Sequence, residues 1–245
     1  MSLLMTLRTT GRVLNQIRHD RRTLALILVV PSLLIALLYF VFDSQPAIFD
    51  RIGLMMLGIF PIISMFLVTS IAMLRERTSG TLERLLTTPV HKLDLLLGYG
   101  LAFAILAALQ AAIASTVAYY LLDLDTEGSL RAVMGIAIAS AVLGSSIGLF
   151  TSAFATSEFQ AVQFMPVVVA PQILLCGLIW PREEMVGWLQ AASDVLPMTY
   201  AVDALLEVAS HVDLTDQLWR DVAIIVGATV VALLLGAATL RRRSG

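Results

Sequence analysis

Charged side chains are scarce in this sequence, and those present are unevenly distributed. Of 245 residues, 58% are hydrophobic and only 14% are charged, whereas about a quarter of the residues of a soluble domain are charged. This composition excludes an ordinary soluble domain with a solvated surface. It also leaves several uncharged stretches that are long enough to test as membrane spans.

Cysteine, lysine and histidine are also rare, and the small number of each residue type excludes one kind of site. The single cysteine, Cys176, allows no intramolecular disulfide. The single lysine, Lys92, lies in VHKLD, so the chain contains no Gly-x-x-x-x-Gly-Lys-Ser/Thr phosphate-binding loop. The three histidines (His19, His91 and His211) lack metal-ligand spacing, so we expect no metal site.

Six segments contain no charged residue: 23–42, 52–74, 95–122, 132–157, 159–180 and 222–240. A hydrocarbon core of about 30 Å needs roughly 20 apolar residues at about 1.5 Å per helical residue. None of the six shows the regular polar stripe of a soluble core helix. We therefore predict an all-α polytopic membrane protein with six transmembrane helices in one membrane domain over 1–245.

The missing charges also bear on mechanism. Ion-coupled carriers usually keep ionisable groups within their spans. None of the six predicted spans contains a charged residue, which is evidence against a secondary transporter. Paired carboxylates can serve acid–base catalysis, but a solvated face with helix-capping acids explains the acidic residues of 181–221 better. We therefore expect no catalytic site and no enzyme. Those acidic residues include Glu183, Glu184, Asp194, Asp203 and Glu207.

Basic residues indicate the orientation of the chain. Lysine and arginine favour cytoplasmic loops, and twelve of the sixteen lie in the arm 1–22, the loop 75–92 and the tail after 240. No small-residue cleavage site ends the first span, so no cleavable signal peptide is expected. We predict a multi-pass protein of the cell membrane (inner or plasma), with both termini cytoplasmic and 181–221 outside.

The arm 1–22 carries a second pattern besides its charge. Apolar residues recur at roughly helical spacing between arginines: Leu3, Leu4, Leu7, Val13, Leu14 and Ile17 between Arg8, Arg12 and Arg18. An ordinary positive-inside flank explains the charges but not the periodicity. We predict a basic amphipathic helix lying along the membrane interface.

The loop 75–92 contains the stretch RERTSGTLERLLTTPV, which predicts a short helix over 81–87. Gly80 suits an N-cap with Glu83 three residues later, and Pro89 ends the helix near residue 87. Two turns are marginal alone, so the apolar face must be buried against the protein's own rim, the lipid interface or a groove on a partner. That face consists of Leu82, Leu85 and Leu86.

This loop resembles the cytoplasmic loop of ABC-2-type exporter permeases, whose pattern is roughly Glu-Arg, then Gly-Thr-x-Glu-x-Leu, then Thr-Pro. The matching residues are Glu76, Arg77, Gly80, Thr81, Glu83, Leu86 and Pro89. A second stretch, GLIWPREEMVGWLQAASDVLPMTYAVDALLEV, is similar to the last outer loop of that family. Its matches are Gly177, Pro181, Gly187, Trp188, Pro197, Tyr200, Asp203 and Ala204, and its departures are Val186 and Leu206. The likeness is closest to permeases of drug and natural-product exporters, such as the daunorubicin-resistance type.

The resemblance implies a function that we carry forward as an expectation. The helix 81–87 would be the coupling helix that docks on separate ATPase subunits, two per transporter, which bind ATP and Mg. Six spans are few to enclose a pathway, so we also expect a second permease copy, in a homodimer or heterodimer; membrane lipids would be a further partner, with no nucleic acid. An uncharged, mildly polar cavity would suit a lipophilic or amphiphilic cargo: a drug, lipid or glycolipid. A membrane scaffold or regulatory subunit without transport is the alternative.

The resemblance further implies that 181–221 forms a re-entrant outer hairpin that caps the exit. Pro181 and Pro197 divide this segment into two predicted short helices, 183–193 and 199–210. An amphipathic helix at 199–210 would rest on the membrane with Asp203 on its polar face. The hairpin site that we predict comprises Pro181, Trp188, Pro197, Tyr200 and Asp203.

Polar residues within two spans predict the pathway. Three amides, Gln160, Gln163 and Gln172, are unusual for a lipid-facing helix, and with Ser64 and Thr69 they could line an amphipathic cavity. The fourth span is rich in small residues that permit close helix approach, either between two protomers or within one. These small residues are Gly135, Ala139, Ser140, Gly144, Ser145 and Gly148.

Overall fold

The computed structural model of the protein describes residues 3–80 and 92–239. Over these two ranges the chain is helical and forms no β-strand. The helices are α1 (Leu3–His19), α2 (Arg21–Val41), α3 (Pro46–Thr78), α4 (Lys92–Leu121), α5 (Leu130–Thr151), α6 (Glu158–Val168), α7 (Ala170–Leu175), α8 (Gly187–Val195), α9 (Pro197–Ser210) and α10 (Asp216–Thr239), with a 3₁₀ turn at Arg182–Glu184. The predicted coupling helix 81–87 lies outside the described residues.

Six candidate spans are long and apolar enough to cross a membrane within the described part of the chain. They are α2, α3, α4 from Leu97, α5, α6 taken together with α7, and α10. The predicted fold class, an all-helical polytopic membrane protein, is therefore confirmed. Their lengths suit a bilayer because about 20 helical residues span its apolar core.

Two spans are shorter than the uncharged segments that predicted them. Helix α5 ends at Thr151 rather than near 157, and Ser157 instead caps the next helix by accepting a hydrogen bond from the Gln160 N–H. The span 159–180 is interrupted at Val169, where α6 ends and α7 begins with Pro171 in its first turn. Proline lacks an N–H and crowds the preceding turn, so it breaks a helix here.

Helices α3 and α5 form the centre of the bundle and approach each other closely. A Cβ added at Gly144 of α5 would lie 2.7 Å from the Cα of Ile62, and one at Gly148 would lie 2.5 Å from the carbonyl oxygen of Phe66. Both contacts are within this single chain. Of the two readings left open for the small residues, packing inside one protomer is therefore the observed one for Gly144 and Gly148. Gly135 has no atom within 4 Å of such a Cβ.

The predicted outer hairpin forms the two short helices α8 and α9. Their bounds, Gly187–Val195 and Pro197–Ser210, differ from 183–193 and 199–210 because Arg182–Glu184 forms a separate 3₁₀ turn and Pro197 begins α9. Proline suits a first helical position. Helix α9 does not lie apart from the bundle: Met198, Val202 and Leu205 are fully buried, and α9 packs against α3, α5 and α10.

Candidate functional site

The candidate site begins where α1 lies across the ends of α3 and α4. We call this end of the bundle the basic end, and it is defined by Arg12, Arg75 and Arg77. The Nη1 atom of Arg12 lies 3.3 Å from the Oε1 atom of Glu76 in α3. The Nη2 atom of Arg12 donates a hydrogen bond to the Tyr99 hydroxyl of α4. One arginine of α1 therefore joins both helices that flank residues 81–91.

Helix α1 also touches the α4 backbone. The Thr10 hydroxyl donates to the Gly98 carbonyl oxygen over 3.1 Å. A Cβ added at Gly98 would lie 2.7 Å from Thr9 Cγ2 and 3.0 Å from the Thr6 carbonyl oxygen, so only glycine allows this approach. The docked face buries Thr10, Val13 and Ile17. The predicted amphipathic helix is thus present, and its buried stripe faces protein.

The first turns of α1 have a different environment. Leu3, Leu4 and Leu7 are exposed, at 77%, 57% and 50% of their accessible surface, and Arg8 is exposed beside them. An exposed apolar face next to basic residues is typical of a helix that rests in a membrane interface. The predicted interfacial position of the arm stays a prediction for this part of α1.

The predicted coupling residues divide into those that the structure describes and those outside it. Glu76 is buried at 5% exposure and Arg77 is half-buried. Gly80 has φ of +71°, the left-handed conformation typical of the residue just after a helix. It therefore terminates α3 and does not have the extended backbone typical of the N-cap predicted for it. The other coupling residues, Thr81, Leu82, Glu83, Leu85, Leu86 and Pro89, lie outside the described residues.

An apolar cavity of about 430 Å³ opens beside this contact, between α1, α2 and α3. Polar groups lie at its basic end, and the remaining wall is mainly aliphatic, with Ser64 as a polar exception. Its lining residues are Val13, Gln16, Ile17 and Asp20, then Thr23, Leu26, Ile27 and Val30, then Ser64, Leu67, Val68, Ile71, Ala72, Arg75 and Glu76, with Tyr99 of α4. We call it the α1–α3 cavity.

Of the five predicted pathway residues, Ser64 lines the α1–α3 cavity and the other four do not. Ser64 accepts a hydrogen bond from Gln110 Nε2, whereas Thr69 is fully buried. Gln163 is exposed on α6. Their role in a pathway stays a prediction.

Two of the three amides form hydrogen bonds that stabilise the fold. Gln160 accepts hydrogen bonds from the Thr156 N–H and hydroxyl at the start of α6. Gln172 is buried, donates to the Val168 carbonyl oxygen and accepts from the Met198 N–H. Gln172 thus links α7 to α9 through a hydrogen bond.

Polar contacts close the hairpin at the opposite end of the bundle. Arg182 forms ion pairs with Asp194 and Asp203, and the Tyr200 hydroxyl donates to the Asp194 carbonyl oxygen over 2.6 Å. Burial raises the pKa of Asp203 to about 6, with a further upward contribution from Asp221 and Glu183 and an opposing one from Arg182. Trp188 remains exposed at 71%.

The hairpin residues predicted from sequence thus have unequal surroundings. Tyr200 and Asp203 hold the polar contacts, while Pro181 and Pro197 precede or begin helical turns. Sequence reasoning missed Arg182, which unites the hairpin, and likewise Arg12 and Tyr99 at the basic end. A basic residue next to Pro181, among several acids, was the one available signal for Arg182.

Comparison with known proteins identifies the family. Residues 6–209, most of the chain, match the family described as ABC-2 type transporter. The chain belongs to the ABC-2 type transporter family. The predicted resemblance is therefore confirmed, and this family forms the membrane-spanning part of ABC transporters.

Relatives within this family come from bacteria and from a eukaryote. The chain is 27% identical over 182 residues to the probable multidrug ABC transporter permease YbhR of Escherichia coli, covering 74% of this chain and 46% of that protein. It is 27% identical over 141 residues to ABC transporter G family member 20 of Dictyostelium discoideum, covering 58% and 19%. It is 25% identical over 138 residues to the linearmycin resistance permease protein LnrN of Bacillus subtilis, covering 56% and 36%. The chain thus spans less than half the length of these relatives.

Proposed function

We propose that this chain is the permease subunit of an ATP-driven exporter in the cell membrane, with both termini in the cytoplasm. Two ATPase subunits on separate polypeptides dock on the segment 81–87, and a second permease copy completes the pathway. The cargo is lipophilic or amphiphilic. Membership of the ABC-2 type transporter family supports this proposal, as do the relatives named multidrug and linearmycin resistance permeases.

The observation that carries the proposal is the contact of Arg12 with both Glu76 and Tyr99. Residues 81–91 connect α3 to α4, and Arg12 bonds to both helices next to that connection. A displacement of the connecting segment therefore acts on α1, α3 and α4 together. Such a rigid junction is what an ATPase docked there needs to move the membrane helices.

A further contact extends this junction to the fifth span. Arg75 donates from Nε to Glu158 Oε1 over 2.7 Å and from Nη2 to Oε2 over 3.1 Å. Adjacent residues of α3 thus bind α1 through Glu76 and α6 through Arg75. Movement of the end of α3 would reach the helix that carries Gln160 and Gln163.

Docking can be tested by co-purification of the permease with a candidate P-loop ATPase subunit. Leu85→Asp and Leu86→Asp place a charge on the face predicted to enter a groove of the ATPase, and burying an unpaired charge there costs several kcal/mol. We expect both variants to lose the ATPase, while Thr88→Asp, with the same charge on another face, keeps it. Full docking and full ATPase stimulation by Leu85→Asp and Leu86→Asp would refute the coupling assignment.

Transport needs a second measurement in inverted vesicles that contain the permease and its ATPase. ATP-dependent uptake of a lipophilic cargo, lost in Leu85→Asp, is the expected result. Binding of the ATPase without transport of any cargo in a broad panel would instead indicate a scaffold or regulatory subunit.

A further inference from the structure

The α1–α3 cavity is built from matching stripes of three helices. On α1 the lining residues Val13, Gln16 and Ile17 follow the spacing i, i+3, i+4, which places them on one helix face, and Asp20 lies between α1 and α2 as the N-cap of α2. The lining residues of α2 and α3 follow the same spacing. The cavity therefore lies where one face of each of these helices meets the others.

The cavity is long, and its polarity changes along its length. Ser64 and Arg75 both line it on α3, and eleven helical residues correspond to about 16 Å. Arg75, Glu76, Gln16 and Asp20 lie together at the basic end. From there the wall is mainly aliphatic, and Leu26, 62% exposed, lies at its margin.

The charges at the polar end do not cancel. Arg75 forms an ion pair with Glu158, and Glu76 forms one with Arg12. Asp20 accepts hydrogen bonds from the Thr23 N–H and hydroxyl, at 3.1 Å and 2.6 Å, but forms no ion pair among the described residues. These hydrogen bonds lower the pKa of Asp20, with a smaller contribution from Arg75, so the carboxylate is ionised at neutral pH.

Within 3–80 and 92–239, the two other cations next to Asp20 in the chain do not line the cavity. Arg21 and Arg22 follow it in the chain, but both side chains are exposed and neither lines the cavity. Among the residues that the structure describes, the lining carries Asp20, Glu76 and one arginine, which leaves this part of it acidic by one charge. An anionic headgroup would meet repulsion there, whereas a cation is complementary.

We propose that the α1–α3 cavity is a binding site for amphiphilic cations, with the ammonium beside Asp20 and the apolar body between α2 and α3. A volume of about 430 Å³ lies in the range of sites that enclose drug-sized molecules. This inference names a cargo class and in that respect depends on the proposed function, but binding itself requires no ATPase.

The proposal is tested with purified permease in nanodiscs of phosphatidylcholine. Fluorescence anisotropy reports binding of the cationic dye rhodamine 6G, and dodecyltrimethylammonium or dodecyl sulfate serves as competitor at concentrations that leave the discs intact. We expect the cation to displace the dye and the anion of equal chain length to do so at least about tenfold more weakly, a difference of about 1.4 kcal/mol.

Two variants locate the site. Asp20→Asn keeps the N-cap, because asparagine caps helices about as well as aspartate, but it removes the charge; we expect dye affinity to fall about tenfold. Leu26→Trp narrows the margin from an exposed position and should also weaken binding. Asp43→Asn is the matched control, because Asp43 is an exposed acid outside the cavity, and it should bind as wild type does.

Three results would overturn the site: unchanged affinity in Asp20→Asn, equal loss in Asp43→Asn, or dodecyl sulfate competing as well as the cation. The last of these would favour an anionic lipid as occupant. Charge-selective binding that depends on Asp20, in a permease that never couples to an ATPase, would refute the proposed function and leave this site standing. Normal ATP-driven export without charge-selective binding at Asp20 would support the proposed function and refute this site.

Discussion

Arg12 of α1 forms an ion pair with Glu76 of α3 across a separation of 64 residues in the chain. The Glu76 side chain is 6% exposed and the Arg12 side chain 35%. A carboxylate so nearly buried is stabilised only while its partner remains, because an unpaired buried charge is costly. The pair therefore fixes α1 to the end of α3.

Removing this arginine should destabilise the protein. We expect Arg12→Ala to lower the free energy of unfolding by about 1–3 kcal/mol, since Glu76 keeps its burial and loses its charged partner. Thermal unfolding in detergent measures this change. Adding Glu76→Gln to Arg12→Ala should restore part of the loss, because the neutral amide tolerates burial better. The control Arg8→Ala, at an exposed position, should stay within about 0.5 kcal/mol of wild type; an equal effect of both alanine variants would contradict the assignment.

The close approach of α3 and α5 predicts opposite effects at two glycines of the same helix. Gly144→Ala would force a Cβ against the Ile62 backbone, and overpacking of this kind costs about 1–3 kcal/mol. Gly135→Ala meets nothing within 4 Å and should be neutral or stabilising by up to about 1 kcal/mol, because alanine favours helix. Thermal melting of both variants gives the comparison. Equal melting temperatures would mean that the two helices lie farther apart.

Replacing two of the predicted pathway amides should separate structure from transport. Gln172→Leu leaves the buried Met198 N–H without its acceptor and should destabilise the protein by about 1–3 kcal/mol. Gln163→Leu changes an exposed side chain and should leave thermal unfolding unchanged while altering vesicle export or cargo-stimulated ATPase activity. If export and ATPase activity are both unchanged in Gln163→Leu, Gln163 is not part of the pathway.

The hairpin should respond to pH through Asp203. Its pKa is raised to about 6 from the ordinary 3.8, so between these values the folded state binds more protons than the unfolded state. Stability is then greatest below about pH 4 for this group and falls as pH rises through about 6. We expect the melting temperature of the wild type to fall as pH rises from about 4 to about 6, and we expect this fall to be smaller in Asp203→Asn. Asp213 is an exposed acid, so Asp213→Asn should keep the pH dependence of the melting temperature. If Asp203→Asn also keeps that pH dependence, Asp203 is not its source.

The short helices show where sequence reasoning succeeded and where it did not. Pro181 and Pro197 correctly indicated that the hairpin is divided, because proline restricts local backbone geometry. The same pattern did not indicate that α9 is buried against α3, α5 and α10, nor that Arg182 pairs with Asp203 from 21 residues away. The α1–α3 cavity was equally invisible, since its walls come from three separate helices.

The sequence by itself determined that the protein has six apolar segments long enough to cross a membrane, which family it belongs to, and that the segment 181–221 is divided into short helices. These properties depend on apolar length, on proline and on short motifs, all of which are local along the chain. Only the tertiary structure decided that Arg12 joins α3 to α4, that Gly144 lies against Ile62, and that Asp20 faces an apolar cavity. Each of these depends on side chains distant in sequence meeting at a specific helix crossing, and uncharged spans of similar hydropathy do not encode that crossing locally.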